Sequence, residues 1–461
     1  MDSSLSTFRD KHSTVNEEGK RQWIYAHKPK GKLYTYRTWV SYCYILIFVI
    51  TPFIKMDGMP LLQFNLPDGE FIFFGYLFTP QDFIVFGICM LIGMLFIIIF
   101  TLIYGRIFCG WVCPQTIFME MIFRKIEYLI EGTAQQQKKS NLASNNPAFN
   151  FRKLLKHIIF FVLSFCIANI FLSYIIGVES VLALMKEPPS AHLVGFIAMI
   201  VFTLVFYGVY AFMREIVCTV ICPYGRLQSV LVDRNSLTVI YDYLRGEPRG
   251  KGKSRIKESG DCVDCNMCVN VCPTGIDIRN GTQLECINCT ACIDACNTVM
   301  HKIGKQRDLI KIDSYNNIEK GKPFRLDYRV KAYSALLLVL IALLTGFLIS
   351  RKIFDATILR VPGQIVQEQA NGMLTNLYRI KITNKRNKTM PYAIFCNDPN
   401  VHIQRVGHAI DSLKGRELNE EMFFLIVTKD AVPKRKTDFT ILIKSGNKLI
   451  DKQKAIFIST L

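Results

Sequence analysis

Eight cysteines between residues 262 and 296 fall into two runs of one spacing. Cys262, Cys265, Cys268 and Cys272, followed by Pro273, read C-x2-C-x2-C-x3-C-P, and Cys286, Cys289, Cys292 and Cys296 repeat the spacing. Three closely spaced thiolates let one loop wrap three corners of a 4Fe-4S cube, while the fourth, launched into the next element, ligates the other cube. The spacing therefore predicts one cluster on Cys262, Cys265, Cys268 and Cys296, and a second on Cys286, Cys289, Cys292 and Cys272. A pair of zinc sites is the alternative, but zinc modules need only paired CxxC spacings and not this tandem. Asn297 stands where the second run would carry its proline, which is expected to loosen that turn without removing a ligand.

Four more cysteines form a second set. Cys109-Gly-Trp-Val-Cys113-Pro114 and Cys218-Thr-Val-Ile-Cys222-Pro223 are both CxxxCP, and each follows a long apolar run. Residues i and i+4 share a helix face, so each pair is expected to present two sulfurs side by side, and all four converge if the runs pack together. Soft thiolates with little imidazole nearby suit copper(I) or a further sulfur-ligated centre. Arg106, Arg214 and Arg226 are expected to lower the thiol pKa values. Apolar helix-end cysteines are the plainer alternative, and it is the one assigned to Cys43, Cys89 and Cys166. Met119 and Met121 are potential thioether ligands but read better as apolar packing.

The elements that must position these thiols are membrane spans. Apolar runs at 39–54, Phe83–Tyr104, 158–178, Leu193–Met213 and 332–350 each approach the roughly 20 residues that a helix needs to cross a bilayer. Lys20, Arg21, Lys28, Lys30, Lys32 and Arg37 precede the first run, and seven bases from Arg124 to Lys156 separate the second from the third. The loop 55–81 holds Lys55 alone as a base, and 179–192 holds Lys186 alone. Basic short flanks stay inside, which places the N-terminus and residues 214–331 in the cytoplasm and everything after 350 outside. The first 38 residues lack the apolar stretch of a cleavable leader. Residues 117–130 alternate apolar and charged positions at helical spacing and are expected to lie along the inner interface, charges outward.

Composition fits this plan. Of 461 residues half are hydrophobic, the net charge is +19, and 16 cysteines stand against 7 histidines. That excludes a disordered basic tail, a small disulfide scaffold and a histidine-rich haem or zinc enzyme. No histidine is expected inside a span, no glycine-rich dinucleotide fingerprint accompanies the clusters, and no basic, aromatic-interleaved stretch suggests nucleic-acid binding. After 350 the texture changes to short alternating runs with turn-rich gaps, as in a small antiparallel sandwich, with Cys396 as its one cysteine. His402, His408 and Met422 there read as scattered positions and not as a metal site.

The expected architecture is multi-domain: an α-helical membrane domain of five transmembrane helices, an inserted cytoplasmic bacterial-type two-cluster ferredoxin domain, and a C-terminal all-β Ig-like sandwich. Its parts are an N-terminal segment at 1–38, four spans with both CxxxCP motifs at 39–245, the ferredoxin domain at 246–331, the fifth span at 332–350 and the sandwich at 351–461.

With these motifs placed, the chain resembles the cytochrome c oxidase accessory polyferredoxins of the CcoG/FixG (RdxA) type. The resemblance implies a bacterial inner-membrane protein with a periplasmic sandwich. It also implies a cupric reductase that converts Cu(II) to Cu(I) for the copper site of a cbb-type haem-copper oxidase. Cys109, Cys113, Cys218 and Cys222 would bind or reduce copper, with electrons from two 4Fe-4S clusters. The partners implied are copper ions, copper-delivery or oxidase assembly factors, the membrane, and a cytoplasmic or quinol electron donor, with a homodimer left open. Two other readings compete: a quinol-oxidising subunit resembling NapH-type polyferredoxins, and an assembly scaffold whose clusters only stabilise the fold.

Overall fold

The computed structural model describes residues 21–459 except 57, 67–68, 75, 79–82, 143–146, 251–259, 351–353, 362–365, 370–371, 385–388, 408–410, 416–417, 433 and 447. His12, His408 and most of the glycine-containing linker before Gly260 lie outside the described residues. Five helices are long and apolar enough to cross a bilayer: Lys32–Phe53, Ile84–Tyr104, Asn150–Ile176, Leu193–Met213 and Tyr328–Ile349. The first starts earlier than its apolar run because Arg37, counted in sequence as a flanking charge, is buried within it and donates to the Gly110 carbonyl at 2.7 Å. The third also starts earlier, at Pro147, and this brings His157 inside the candidate span, where Nδ1 lies 2.8 Å from the Tyr207 hydroxyl. It ends at Ile176 because Gly177 takes φ +86°, a conformation that glycine adopts without a Cβ clash.

The chain divides into two compact units. One contains residues 1–51, 86–173 and 178–344, which joins most of the membrane helices to the cysteine-rich segment. In that segment Thr238–Tyr241 and Ile310–Asp313 pair antiparallel, with Thr238 opposite Asp313 and Tyr241 opposite Ile310. Between them the helix Ala291–Lys302 runs straight through Cys296 and Asn297. Asn297 does not loosen this turn: its side chain donates to Asp308 at 2.9 Å and accepts from the Asp308 N–H at 2.7 Å, tying the helix to the returning chain.

The other unit holds residues 52–85, 174–177 and 345–461. Its larger part is a two-sheet sandwich. One sheet orders Val401–Val406, Leu418–Val427, Leu374–Asn384 and Phe354–Arg360, and the other orders Ala393–Cys396, Lys436–Ser445 and Lys448–Ile458, all antiparallel. Alternating residues Tyr378, Ile380, Ile382, Phe423, Leu425 and Val427 point inward, where Tyr378 stacks on Phe423 at 5.6 Å between ring centres. Residues 55–81, expected as plain loop, instead fold into strands. Leu62–Asn65, Glu70–Phe73 and Tyr76–Phe78 form a meander whose Phe64, Phe73 and Phe78 rings meet edge to face. Cross-strand aromatic pairs of this kind stabilise a short sheet.

Candidate iron–sulfur and thiol sites

The eight ferredoxin-type cysteines line two cavities. Cys262, Cys265, Cys268 and Cys296 share one with Tyr241, Arg279, Met300 and Leu309. Cys272, Cys286, Cys289 and Cys292 share the other with Thr274, Ile276, Asn288 and Thr290, while Cys268 also reaches its edge. Crossed membership, with Cys296 in the first and Cys272 in the second, is the arrangement that the spacing predicts. Apolar side chains, among them Ile276, Ile278, Met300 and Leu309, make up much of the remaining wall beside these polar groups.

Buried donors around the second cavity lack protein partners. Asn288 Nδ2, Arg37 Nη2 and Arg106 Nε have none. Arg37 acts electrostatically on Cys289 and Arg106 on Cys286. Buried N–H groups without protein partners, close to four thiols, fit the neighbourhood of an anionic group, as a four-thiolate 4Fe-4S cluster is. The donor set therefore fits the iron–sulfur assignment, with the two crossed sets of four cysteines as its holders.

The CxxxCP cysteines also come together, but by a different local form from the one expected. Neither pair shares a continuous helix face. The first helix, Ile107–Trp111, stops before Cys113, which is extended (ψ 125°) and caps a new helix that begins at Pro114. The second pair repeats the form: Cys218 lies in a π-helical turn, Val217–Ile221, and Cys222 is extended (ψ 113°) before the helix Pro223–Leu231. Proline drives the preceding residue out of the helical region and is itself well placed as the first residue of a helix. The break was thus written in Pro114 and Pro223.

Each half completes the other. The Cys109 thiol donates to Gln228 Oε1 at 2.8 Å, and Gln228 belongs to the helix after the second pair. Thr116, in the helix after the first pair, has its hydroxyl 3.8 Å from Cys218 Sγ. Gly225 sits where a Cβ would lie 2.7 Å from the Cys218 carbonyl and 2.8 Å from Arg106 Nη2, so only glycine lets the halves close. Cys109 and Cys218 each feel the charge of Cys113 and Cys222, which places four sulfurs around one locality. Among the described residues no three His, Cys, Asp or Glu side chains close to the spacing of a single metal ion.

Burial, not the flanking arginines, governs these thiols. It pushes Cys109 up to about 11 although Arg106 pulls the other way. Cys218 is pushed up to about 12, by burial first and then by Cys113. Arg214 is committed elsewhere: it is bidentate on Glu127, at 2.9 and 3.4 Å, and lies over the Trp23 ring. That pairing also overturns the expected interfacial helix. Glu120, Arg124, Glu127 and Glu131 are buried, with Arg124 on Glu120 at 2.9 Å and Lys156 on Glu131 at 2.8 Å, whereas Leu129 is 81% exposed. The charged stripe faces inward because Glu120 and Arg124 pair within it while Lys156 of the third span and Arg214, just after the fourth, answer Glu127 and Glu131. Cys43, Cys89 and Cys166 are exposed and join neither site. Met119 and Met121 are buried packing residues.

The thiol locality abuts the second cluster cavity. Cys109 packs in one apolar cluster with Val271, Ile287, Cys289 and Ala291. A Cβ on Gly110 would lie 2.4 Å from the Ile287 carbonyl and 3.0 Å from the Cys289 backbone nitrogen. Gln228, Gly110 and Gly225 carried no motif signal in the sequence; only the fold shows what they touch.

Three family models match stretches of this chain. A 4Fe-4S binding domain model matches residues 86–130, a 4Fe-4S dicluster domain model matches 213–315, and the model of the Ig-like fold at the C-terminus of FixG matches 344–460. RdxB of Cereibacter sphaeroides is 29% identical over 92% of this chain and 93% of its own length. RdxA of the same organism is 31% identical over 78% of this chain and 79% of its own. The nitrogen fixation protein FixG of Rhizobium meliloti is 34% identical over 63% and 57%. Two crossed cysteine cavities, membrane-capable helices and an Ig-like tail, together with these relatives, make this chain a member of the FixG/RdxA family of polyferredoxins, iron–sulfur electron-transfer proteins of the membrane.

Proposed function

We propose that this protein reduces Cu(II) to Cu(I) and holds the product for insertion into the copper site of a cbb-type haem-copper cytochrome c oxidase. The proposal places it in the bacterial inner membrane, with the cysteine-rich segment cytoplasmic and the sandwich periplasmic. The observation that carries the reading is the convergence of Cys109, Cys113, Cys218 and Cys222 beside the Cys272/Cys286/Cys289/Cys292 cavity.

Copper is the substrate. Each Cu(II) takes up one electron and becomes Cu(I), and no bond to carbon or oxygen is made or broken. The iron–sulfur groups, when bound, supply that single electron and are refilled by an outside donor, either a cytoplasmic reductant or a membrane quinol. Thiolates favour the softer Cu(I), so reduction and retention reinforce each other. Gln228 orients the Cys109 thiol, and burial keeps both Cys109 and Cys218 protonated until a metal displaces the proton.

The test is anaerobic addition of Cu(II) to the reduced full-length protein, followed by EPR and metal analysis. Loss of the Cu(II) signal coupled to cluster oxidation is expected. Replacing Cys109, Cys113, Cys218 and Cys222 by Ser is expected to abolish copper retention while leaving the iron–sulfur absorbance intact. Unchanged copper stoichiometry in that variant sinks the proposal, and cluster reduction by quinol without any copper response favours the quinol-oxidising reading.

A further inference from the structure

The two cysteine cavities differ in their surrounding charge. Arg37 and Arg106 are buried, 1% and 5% exposed, and neither has an ion-pair partner among the described residues. Arg37 is held by its Nε on the Gly110 carbonyl, and Arg106 by Nη1 on the Leu284 carbonyl. Each keeps a buried nitrogen without a partner. Glu120 acts on Cys289 but is committed to Arg124 at 2.9 Å. Around the other cavity the cations are cancelled. Arg279 is flanked by Asp264 and Asp277, both at 2.6 Å, and Arg245 and Lys305 share Asp261.

A four-thiolate cluster gains negative charge on reduction, so an uncompensated buried cation stabilises its reduced form and raises its potential. We propose that Arg37 and Arg106 are potential-setting residues that make the Cys272/Cys286/Cys289/Cys292 site the more oxidising of the two, so that electrons collect next to the membrane-edge thiols. Gly110 is the companion device. With no side chain it lets the backbone before Trp111 press against Ile287 and Cys289, bringing Cys109 to the site where the electron rests. The inference rests on the electron-delivery reading above, but it assigns to each site a rank and to two arginines a role.

The experiment is a potentiometric EPR titration of the full-length protein in detergent, anaerobically and without copper. Cys262→Ser and Cys286→Ser each perturb one cluster signal and so assign the two. The Cys286-assigned signal is expected at the higher potential in the unmodified protein. Arg37→Gln and Arg106→Gln are expected to shift that signal, and not the other, to lower potential, whereas Arg37→Lys and Arg106→Lys retain it at normal iron content. A merely structural role would lower iron content or broaden both signals instead. The inference is overturned if the Cys286-assigned signal is the lower of the two, or if the Gln variants move both signals equally or neither. Failure of copper reduction leaves these potentials unaffected, so the two proposals fail separately.

Discussion

The Cys109 thiol donates to Gln228 Oε1 at 2.8 Å, across 119 residues of chain, and Gln228 Nε2 in turn donates to Thr101 Oγ1 at 3.2 Å. The Cys109 sulfur is therefore held through a fully buried amide that is itself anchored in the second span. Gln228→Leu removes the acceptor and leaves both Cys109 and Thr101 to find new partners. Partners of this outer kind are worth about 10- to 100-fold in metal affinity. Copper(I) affinity, measured by competition with a chromophoric chelator, is expected to fall by about that factor while iron content stays unchanged.

Glu127 sets an acid limit on the membrane unit. Burial alone would raise its pKa, but Arg214, Lys156 and Arg124 together outweigh burial and hold it below its usual 4.5. A carboxyl whose folded pKa is depressed contributes stability that is present above the unfolded value and lost as pH falls through the folded one. Stability should accordingly fall below about pH 4.5 in the unmodified protein. Glu127→Gln should flatten that slope, and should cost about 3–5 kcal/mol at neutral pH because buried Arg214 loses its bidentate partner and keeps only the longer contact to Glu215. Thermal melts across pH 3–7, followed by tryptophan fluorescence, check both.

Phe423 is wholly buried against Tyr378 in the sandwich. Phe423→Ala leaves a cavity in a close-packed core and is expected to cost about 3–5 kcal/mol. Because the sandwich and the cysteine-rich segment belong to different compact units, the iron–sulfur absorbance should outlast the lost sandwich signal on heating. Simultaneous loss of both signals would contradict the division.

Removing iron with a chelator should expose the cost of the orphaned donors. Without an anionic group, Asn288 Nδ2, Arg37 Nη2 and Arg106 Nε remain unsatisfied in a dry interior, at about 1–3 kcal/mol each. Hydrogen exchange is expected to quicken in the paired strands Thr238–Tyr241 and Ile310–Asp313 and in the helix Ala291–Lys302, and to change little in the sandwich.

What could be read from the sequence was whatever a short spacing encodes. The crossed cysteine sets, the apolar runs, and the strands at 377–383, 422–427 and 439–444 all follow from local periodicity. Pro114 and Pro223 also announced their helix breaks, but an i, i+4 reading passes over the constraint that proline puts on Cys113 and Cys222. The burial of Glu120 and Glu127 was not legible. A charged stripe looks solvated until Arg214 and Lys156 arrive from far along the chain to answer Glu127. The same holds for Gln228 and Gly110, whose meaning depends wholly on what packs against them. The meander at 62–78 was hidden for a different reason: its aromatic residues pair with each other across strands, without a long core to impose strict alternation.

The reciprocal contacts at the membrane edge bear on how the centre is built. Thr116 serves Cys218 and Gln228 serves Cys109, so each proline-broken half lends its following helix to the other's sulfur. Neither half is a self-contained binding module, and a nascent chain that has inserted only its first two spans holds an unfinished site. The four-cysteine arrangement is complete only once the fourth span and the helix Pro223–Leu231 have been made, so the first pair is enclosed later than it is inserted.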